Sequence, residues 1–119
     1  MATLFELPTF LDERGKLTVI ENQVNFDIKR VYYIYDVKSL RRGGHKHKIT
    51  KQALICVSGS CRIYVKNKLN ERDFSLDDPK ICLLLEPEDW HYMDDFSAGT
   101  VLLVLASEKF DADDYIDEY

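Results

Sequence analysis

The sequence lacks any long apolar run. A helix that spans a membrane needs roughly 18 or more apolar residues in a row. The apolar stretches here, such as "ICLLL" and "VLLVLA", stop far short of that. The opening "MATLFELPTFLDERG" carries Glu6, Asp12 and Glu13 and no basic segment ahead of an apolar one. It does not read as a secretory signal, so a cytoplasmic protein is expected. Cysteine is scarce. Cys56, Cys61 and Cys82 are odd in number and show no C-x-x-C spacing, which argues against a zinc ribbon and a disulfide framework. A Cys56–Cys61 bridge is allowed by spacing but nothing requires it, and buried, reduced thiols are the simpler expectation. With 3 prolines, 5 glycines and no repeats, the chain shows no linker or low-complexity tract. One domain over residues 1–119 is expected.

The most informative gap is of charge. No acidic residue occurs between Val37 and Asn70, while Lys38, Arg41, Arg42, Lys46, Lys48, Lys51, Arg62, Lys66 and Lys68 fall there. The tail "SEKFDADDYIDEY" reverses the balance, and the net charge is −5. An acidic protein with one basic segment suits a small anionic ligand better than nucleic acid, whose binders are usually basic overall.

What is present is short, β-branched and aromatic. Strands are expected over 15–21, 29–37, 51–59, 61–67, 80–86 and 100–108. Turn residues separate them, including "DERG", "KNKLNERD", "DDPK", "EPED" and "FSAG". "VSGSC" reads as a tight hairpin about Gly59. In "CRIYVK", Cys61, Ile63 and Val65 share one face and Arg62, Tyr64 and Lys66 the other. Only "DADDYIDEY" suggests a helical turn, with Asp111 as its N-cap. So many short strands in a small chain predict an all-β barrel of jelly-roll type, closed to hide its edges.

Within the basic segment, "RRGGHKHKITKQ" places His45 and His47 two residues apart. On a strand they face the same side, with Lys46 opposite. Two imidazoles on an inward face are either metal ligands or proton-transfer groups. On an outward face they are ordinary solvated side chains.

The pattern G-x-H-x-H, with "EPEDWH" further on, resembles the two motifs of the cupins. Metal-binding cupins add a glutamate where this chain has Gln52, and a histidine where it has His91. A neutral amide is a poorer ligand than a carboxylate. The strings "FDIKRVYYIYDV", "RGGHKHK", "QALICVSGSCRI", "LLLEPEDWHYMDDFS" and "VLLVLASEKFDADDYIDEY" resemble more closely the sugar 3,4-ketoisomerases, the WxcM-like cupins, from about Lys16 to Tyr119. That resemblance implies a metal-independent isomerase without cofactor, and a homodimer. Its substrate would be a thymidine-diphosphate-linked 4-keto-6-deoxyglucose, its product the 3-keto sugar used to make 3-amino-3,6-dideoxy sugars of surface glycans such as lipopolysaccharide or S-layer. It implies proton transfer by His45 and His47, with Tyr33 donating to the enolate oxygen or relaying a proton. Arg30, Arg41, Arg42, Lys48 and Lys51 are the candidates for the diphosphate, since guanidinium forks bind two oxygens at once. Gln52, Trp90 and His91 are the remaining candidate pocket residues, with Trp90 placed to stack on thymine or sugar. Members often carry a larger residue where this chain has Gly44. A non-catalytic sugar-nucleotide-binding cupin and a cupin epimerase on the same substrate class are the alternatives.

Overall fold

The computed structural model describes residues 2–117. It contains twelve strands: β1 (Thr3–Glu6), β2 (Thr9–Asp12), β3 (Gly15–Thr18), β4 (Arg30–Tyr35), β5 (Arg42–His47), β6 (Gln52–Ser58), β7 (Cys61–Lys66), β8 (Glu71–Leu76), β9 (Ile81–Leu85), β10 (Trp90–Asp94), β11 (Val101–Ala106) and β12 (Tyr115–Ile116). Each of the six expected strands is present in shortened form. The helical turn is a single 3-10 turn, Ala112–Asp114, capped by the Asp111 side chain, which accepts from the Asp113 amide at 3.0 Å. The last two residues of "DADDYIDEY", Glu118 and Tyr119, lie outside the described residues.

Two antiparallel five-stranded sheets, in the orders β1-β9-β6-β11-β4 and β12-β5-β10-β7-β8, face each other as a jelly-roll sandwich. Alternation along the strands builds the core between them. Leu54, Cys56, Leu83, Leu102 and Val104 from the first sheet meet Cys61, Ile63, Val65, Phe74, Leu76 and Met93 from the second. The central strand β6 is buried on both faces. Ala53 and Ile55 point to a second apolar layer with Leu7, Val24, Cys82 and Leu105, which covers the outer side of the first sheet. Cys56, Cys61 and Cys82 are buried free thiols. The hairpin between β6 and β7 turns on Gly59, whose φ of +76° is cheap only without a Cβ.

Strand β4 is the edge of one sheet, and β5 with β12 forms the edge of the other. The gap between these edges is the mouth of the barrel, and it is where the two imidazoles lie.

Candidate active site

Strand β5 carries the site. His45 and His47 face the interior together, with ring centroids 5.1 Å apart and planes near perpendicular at 88°. Directly across on β10, His91 pairs with His45, and their rings lie 5.1 Å apart. His47 and His91 are 6.4 Å apart. The three imidazoles therefore form one cluster, with Tyr115 of β12 laid over two of them at 4.7 Å from His45 and 4.6 Å from His47.

Burial sets the charge state of this cluster. Desolvation, helped by the neighbouring His47, pushes His45 down to about 4. Full burial pushes His91 down to about 3. His47 is lowered as well, by burial, although its bond to Asp114 works the other way. All three are thus neutral at pH 7, each with one donor and one lone pair.

Hydrogen bonds then fix which nitrogen carries the proton. His91 Nδ1 lies 3.0 Å from the Asp89 carbonyl, which can only accept, so its Nε2 is a buried lone pair. His47 Nδ1 lies 2.8 Å from Asp114 Oδ2 and donates to it, which leaves Nε2 as the basic atom. The same carboxylate accepts from Thr50 Oγ1 at 2.5 Å and from the Lys48 and Ile49 amides at 3.1 and 2.8 Å. Burial alone would raise the Asp114 pKa, but these donors outweigh it and hold the group below the usual carboxylate range. His47 Nε2, His91 Nε2 and Gln52 Oε1 are buried acceptors with no protein partner. Gln52 Nε2 donates to the Tyr32 hydroxyl at 3.1 Å. Among the described residues, no group of three His, Cys, Asp or Glu side chains is placed to hold a metal ion.

His45 opens into a cleft of about 420 Å³ lined also by Arg30, Tyr32, Tyr33, Ile34, Tyr35, Arg42, Gly43, Met93 and Tyr115. That volume suits a small ligand, and the ionisable groups around it include two guanidiniums and no carboxylate.

The expected pocket residues divide accordingly. His45, Arg30 and Arg42 line the cleft, and His47, His91 and Gln52 lie buried behind it. Tyr33 lines the cleft as well. It shares a face with Val31 and Tyr35, stacks 5.8 Å from Tyr35 and is 62% exposed. Tyr32, Arg30 and Ile34 take the inward face of β4. Trp90 sits apart from the imidazoles. His91 and Met93 occupy the inner face of β10, which leaves Trp90 outside against Tyr64 and Tyr92, its indole N–H donating to the Asp117 carbonyl at 3.0 Å. Arg41 also lies outside, with its guanidinium 3.6 Å from the Tyr92 ring centre. Lys51 sits 4.0 Å from Glu86, and Lys48 lines a separate depression with Lys29 and Phe110. A side chain at Gly44 would pass beside Trp90 on the outer face, so the small residue there leaves the cleft unaltered. Asp114 and Tyr115 were not anticipated. Their signal was the "DYI" string, whose chemistry only the pairing of Tyr115 with His47 across β12 and β5 reveals.

A two-sheet barrel with paired histidines on an inner strand at its mouth defines a cupin-type small-molecule site. The chain belongs to the family described as WxcM-like, C-terminal (FdtA), whose model matches residues 1–119. It is 45% identical over 112 residues to the TDP-4-oxo-6-deoxy-alpha-D-glucose-3,4-oxoisomerase of Aneurinibacillus thermoaerophilus, covering 92% of this chain and 81% of that one. Among solved structures, it resembles the sugar 3,4-ketoisomerase QdtA from Thermoanaerobacterium thermosaccharolyticum in complex with TDP, with 45% identity and a TM-score of 0.95 over 99% of this chain and 88% of that one. It also resembles the WlaRB TDP-quinovose 3,4-ketoisomerase of Campylobacter jejuni, with 41% identity and a TM-score of 0.94 over 99% and 93% of the two chains. The rmlC epimerase of Mycobacterium tuberculosis shares the fold at 16% identity, with a TM-score of 0.83 over 96% of this chain and 66% of that one.

Proposed function

We propose that this protein is a sugar-nucleotide 3,4-ketoisomerase that converts dTDP-4-keto-6-deoxyglucose to the 3-keto isomer, without a cofactor. The observation that carries this reading is the pair His45 and His47: neutral and on one face, with His45 lining a cleft that holds two guanidiniums and His47 buried behind it. Moving a ketone to the neighbouring carbon requires a base for the C3 proton, an enediolate, and a proton returned to C4. A neutral imidazole is already in the basic form at pH 7. His45 lines the cleft and is the group that meets the sugar carbons. His47, sealed beneath Tyr115 and oriented by Asp114, is the second proton carrier. Arg42, exposed at the rim, suits the diphosphate. The known substrates of the relatives support the sugar class.

Two properties accompany this reading. The first is a homodimer. The β2–β3 hairpin pairs with no other strand among the described residues, and it exposes Phe10, Leu11 and Leu17 by 61–73%. A second copy is the occupant that a self-complementary apolar arm suits. The second is a cytoplasmic location, where nucleotide-linked substrates are made. Among the described residues, no helix is long and apolar enough to cross a membrane.

The test is incubation with the 4-keto sugar nucleotide in D₂O, followed by NMR. Isomerisation moves the carbonyl to C3. A carbonyl that stays at C4 while a neighbouring centre inverts would make the protein an epimerase, and no proton exchange at all would make it a binding module.

A further inference from the structure

The chemistry proposed above involves four proton transfers, not two. One leaves C3 and one arrives at C4. In addition O4 must gain a proton, because a ketone becomes a hydroxyl there, and O3 must lose one. Imidazoles on one side of the sugar serve the carbons; the oxygens need a group of their own.

We infer that Tyr115 is that group, and that with Arg30 it forms the oxyanion site of the cleft. Tyr115 lines the cleft beside His45. It is held there by backbone pairing with His47 and by the adjacent Asp114, which accepts from four donors: His47 Nδ1, the Lys48 and Ile49 amides and the Thr50 hydroxyl. Arg30 Nη1 lies 3.5 Å from the Tyr115 hydroxyl oxygen. A guanidinium can only donate, so it occupies a lone pair of the phenol and leaves the phenol's own proton to point elsewhere. Arg30 is fixed in turn between aromatic faces, 4.3 Å from the Tyr32 ring centre and 5.4 Å from that of Phe110. Of the cleft's hydroxyls, Tyr32 likewise accepts an N–H, from Gln52, and Tyr33 and Tyr35 belong to the exposed face of β4; what sets Tyr115 apart is a ring packed against both His45 and His47. Tyr115 is the phenol set between both catalytic imidazoles and a cation.

The step balances. The imidazole of His45 takes the C3 proton, and the C–H electron pair becomes the C3=C4 bond as the carbonyl pair moves to O4. Tyr115 gives its proton to O4. The phenolate that results is held by the Arg30 guanidinium. It recovers a proton from O3 as the carbonyl forms at C3 and C4 takes a proton from the imidazolium. Enzyme groups end as they began, and no oxidant or co-reactant is consumed. Donors aimed at developing oxyanion charge are worth about 10²–10³ in kcat.

This inference rests on the ketoisomerase reading, and the experiment separates the two. Wild type and Tyr115→Phe are assayed by NMR in D₂O, with affinity for TDP measured by calorimetry. The variant keeps the ring against both histidines and loses only the hydroxyl. Its kcat is expected to fall about 10²–10³-fold, with exchange of the C3 proton falling in parallel, while KM and TDP affinity stay within about threefold. Wild type that fails to move the carbonyl overturns the functional reading itself. Wild type that isomerises beside a Tyr115→Phe within threefold of it overturns only the Tyr115 assignment. Difluorotyrosine at position 115 retains the hydroxyl and makes it more acidic. It moves the alkaline limb of the pH–rate profile to lower pH if the phenol transfers a proton, and an unmoved limb overturns the assignment even where the phenylalanine variant folds poorly.

Discussion

His47 Nδ1 lies 2.8 Å from Asp114 Oδ2, 67 positions further along the chain, and the two side chains are 4% and 5% exposed. The carboxylate dictates the tautomer, so Asp114→Asn should reverse it. An amide can present its N–H₂ to Nδ1, which moves the proton to Nε2 and removes the lone pair that faces the site. Turnover is expected to fall about 10²–10⁴-fold with little change in KM. Steady-state kinetics would show it, and a variant at wild-type kcat would mean that His47 does not act through Nε2.

His45→Asn and His47→Asn separately should each lower isomerisation about 10²–10⁴-fold. The cleft, Arg30 and Arg42 stay in place, so TDP binding by calorimetry should survive in both. Near-normal turnover in both variants would end the assignment of proton transfer to this pair.

The cluster makes the fold sensitive to acid. His91 titrates near 6.5 in the unfolded chain and near 3 in the folded one. His45 falls to about 4, and His47 is also lowered. Groups with depressed pKa values contribute their full stability above pH 6.5. That contribution disappears as pH falls toward 3–4, because the unfolded chain takes up protons that the folded one refuses. At pH 4.5 the loss from His91 alone is about 2–3 kcal/mol. Urea unfolding at pH 7 and 4.5 should show a smaller drop for His91→Asn than for wild type. Equal drops would mean that His91 titrates normally in the folded state.

Gly43 and Gly44 both have positive φ, +87° and +86°, but their surroundings differ. A Cβ at Gly43 would lie 3.1 Å from the His91 carbonyl oxygen and 3.2 Å from Tyr92 Cα, both backbone atoms, at the register shift between β10 and β5. A Cβ at Gly44 would meet only the Trp90 ring at 3.9 Å. Left-handed strain costs each alanine variant about 1–2 kcal/mol. Gly43→Ala should cost clearly more than Gly44→Ala in thermal unfolding, and it alone should also slow turnover by shifting His91. Equal costs would show that β10 yields freely at its bulge.

Light scattering after gel filtration should give twice the chain mass for wild type. Leu11→Lys, placing charge on the exposed hairpin, should shift the protein to monomer. A monomeric wild type would remove the hairpin's proposed role.

Much of this was legible in the residues. Strands β6, β9 and β11 are near-continuous apolar runs and β7 alternates cleanly, and the i, i+2 spacing correctly paired His45 with His47 on one side. Strands β8 and β10 were hidden for a physical reason. In "ERDFSL" only Phe74 and Leu76 are buried, and in "WHYMD" the inward residues are a histidine and a methionine, so neither looks like a core strand. The parity of β4 was ambiguous because "RVYYIY" offers aromatics to both faces. A polar cleft then drew the Arg30–Tyr32–Ile34 side inward and left the Val31–Tyr33–Tyr35 side outward. Asp114 and Tyr115 could not be placed, because a two-residue strand with an acidic turn gives no periodic signal of its own.

The grip of Asp114 on the loop after β5 also provides a gauge of site closure. The Lys48 and Ile49 amides both end on that residue, one on its carbonyl and carboxylate and the other on its carboxylate. Their rates of deuterium uptake therefore report how often the Ala112–Ile116 strap lifts off the barrel. A nucleotide that engages Tyr115 should slow those two amides together, so hydrogen exchange can count openings of the site without following a single turnover.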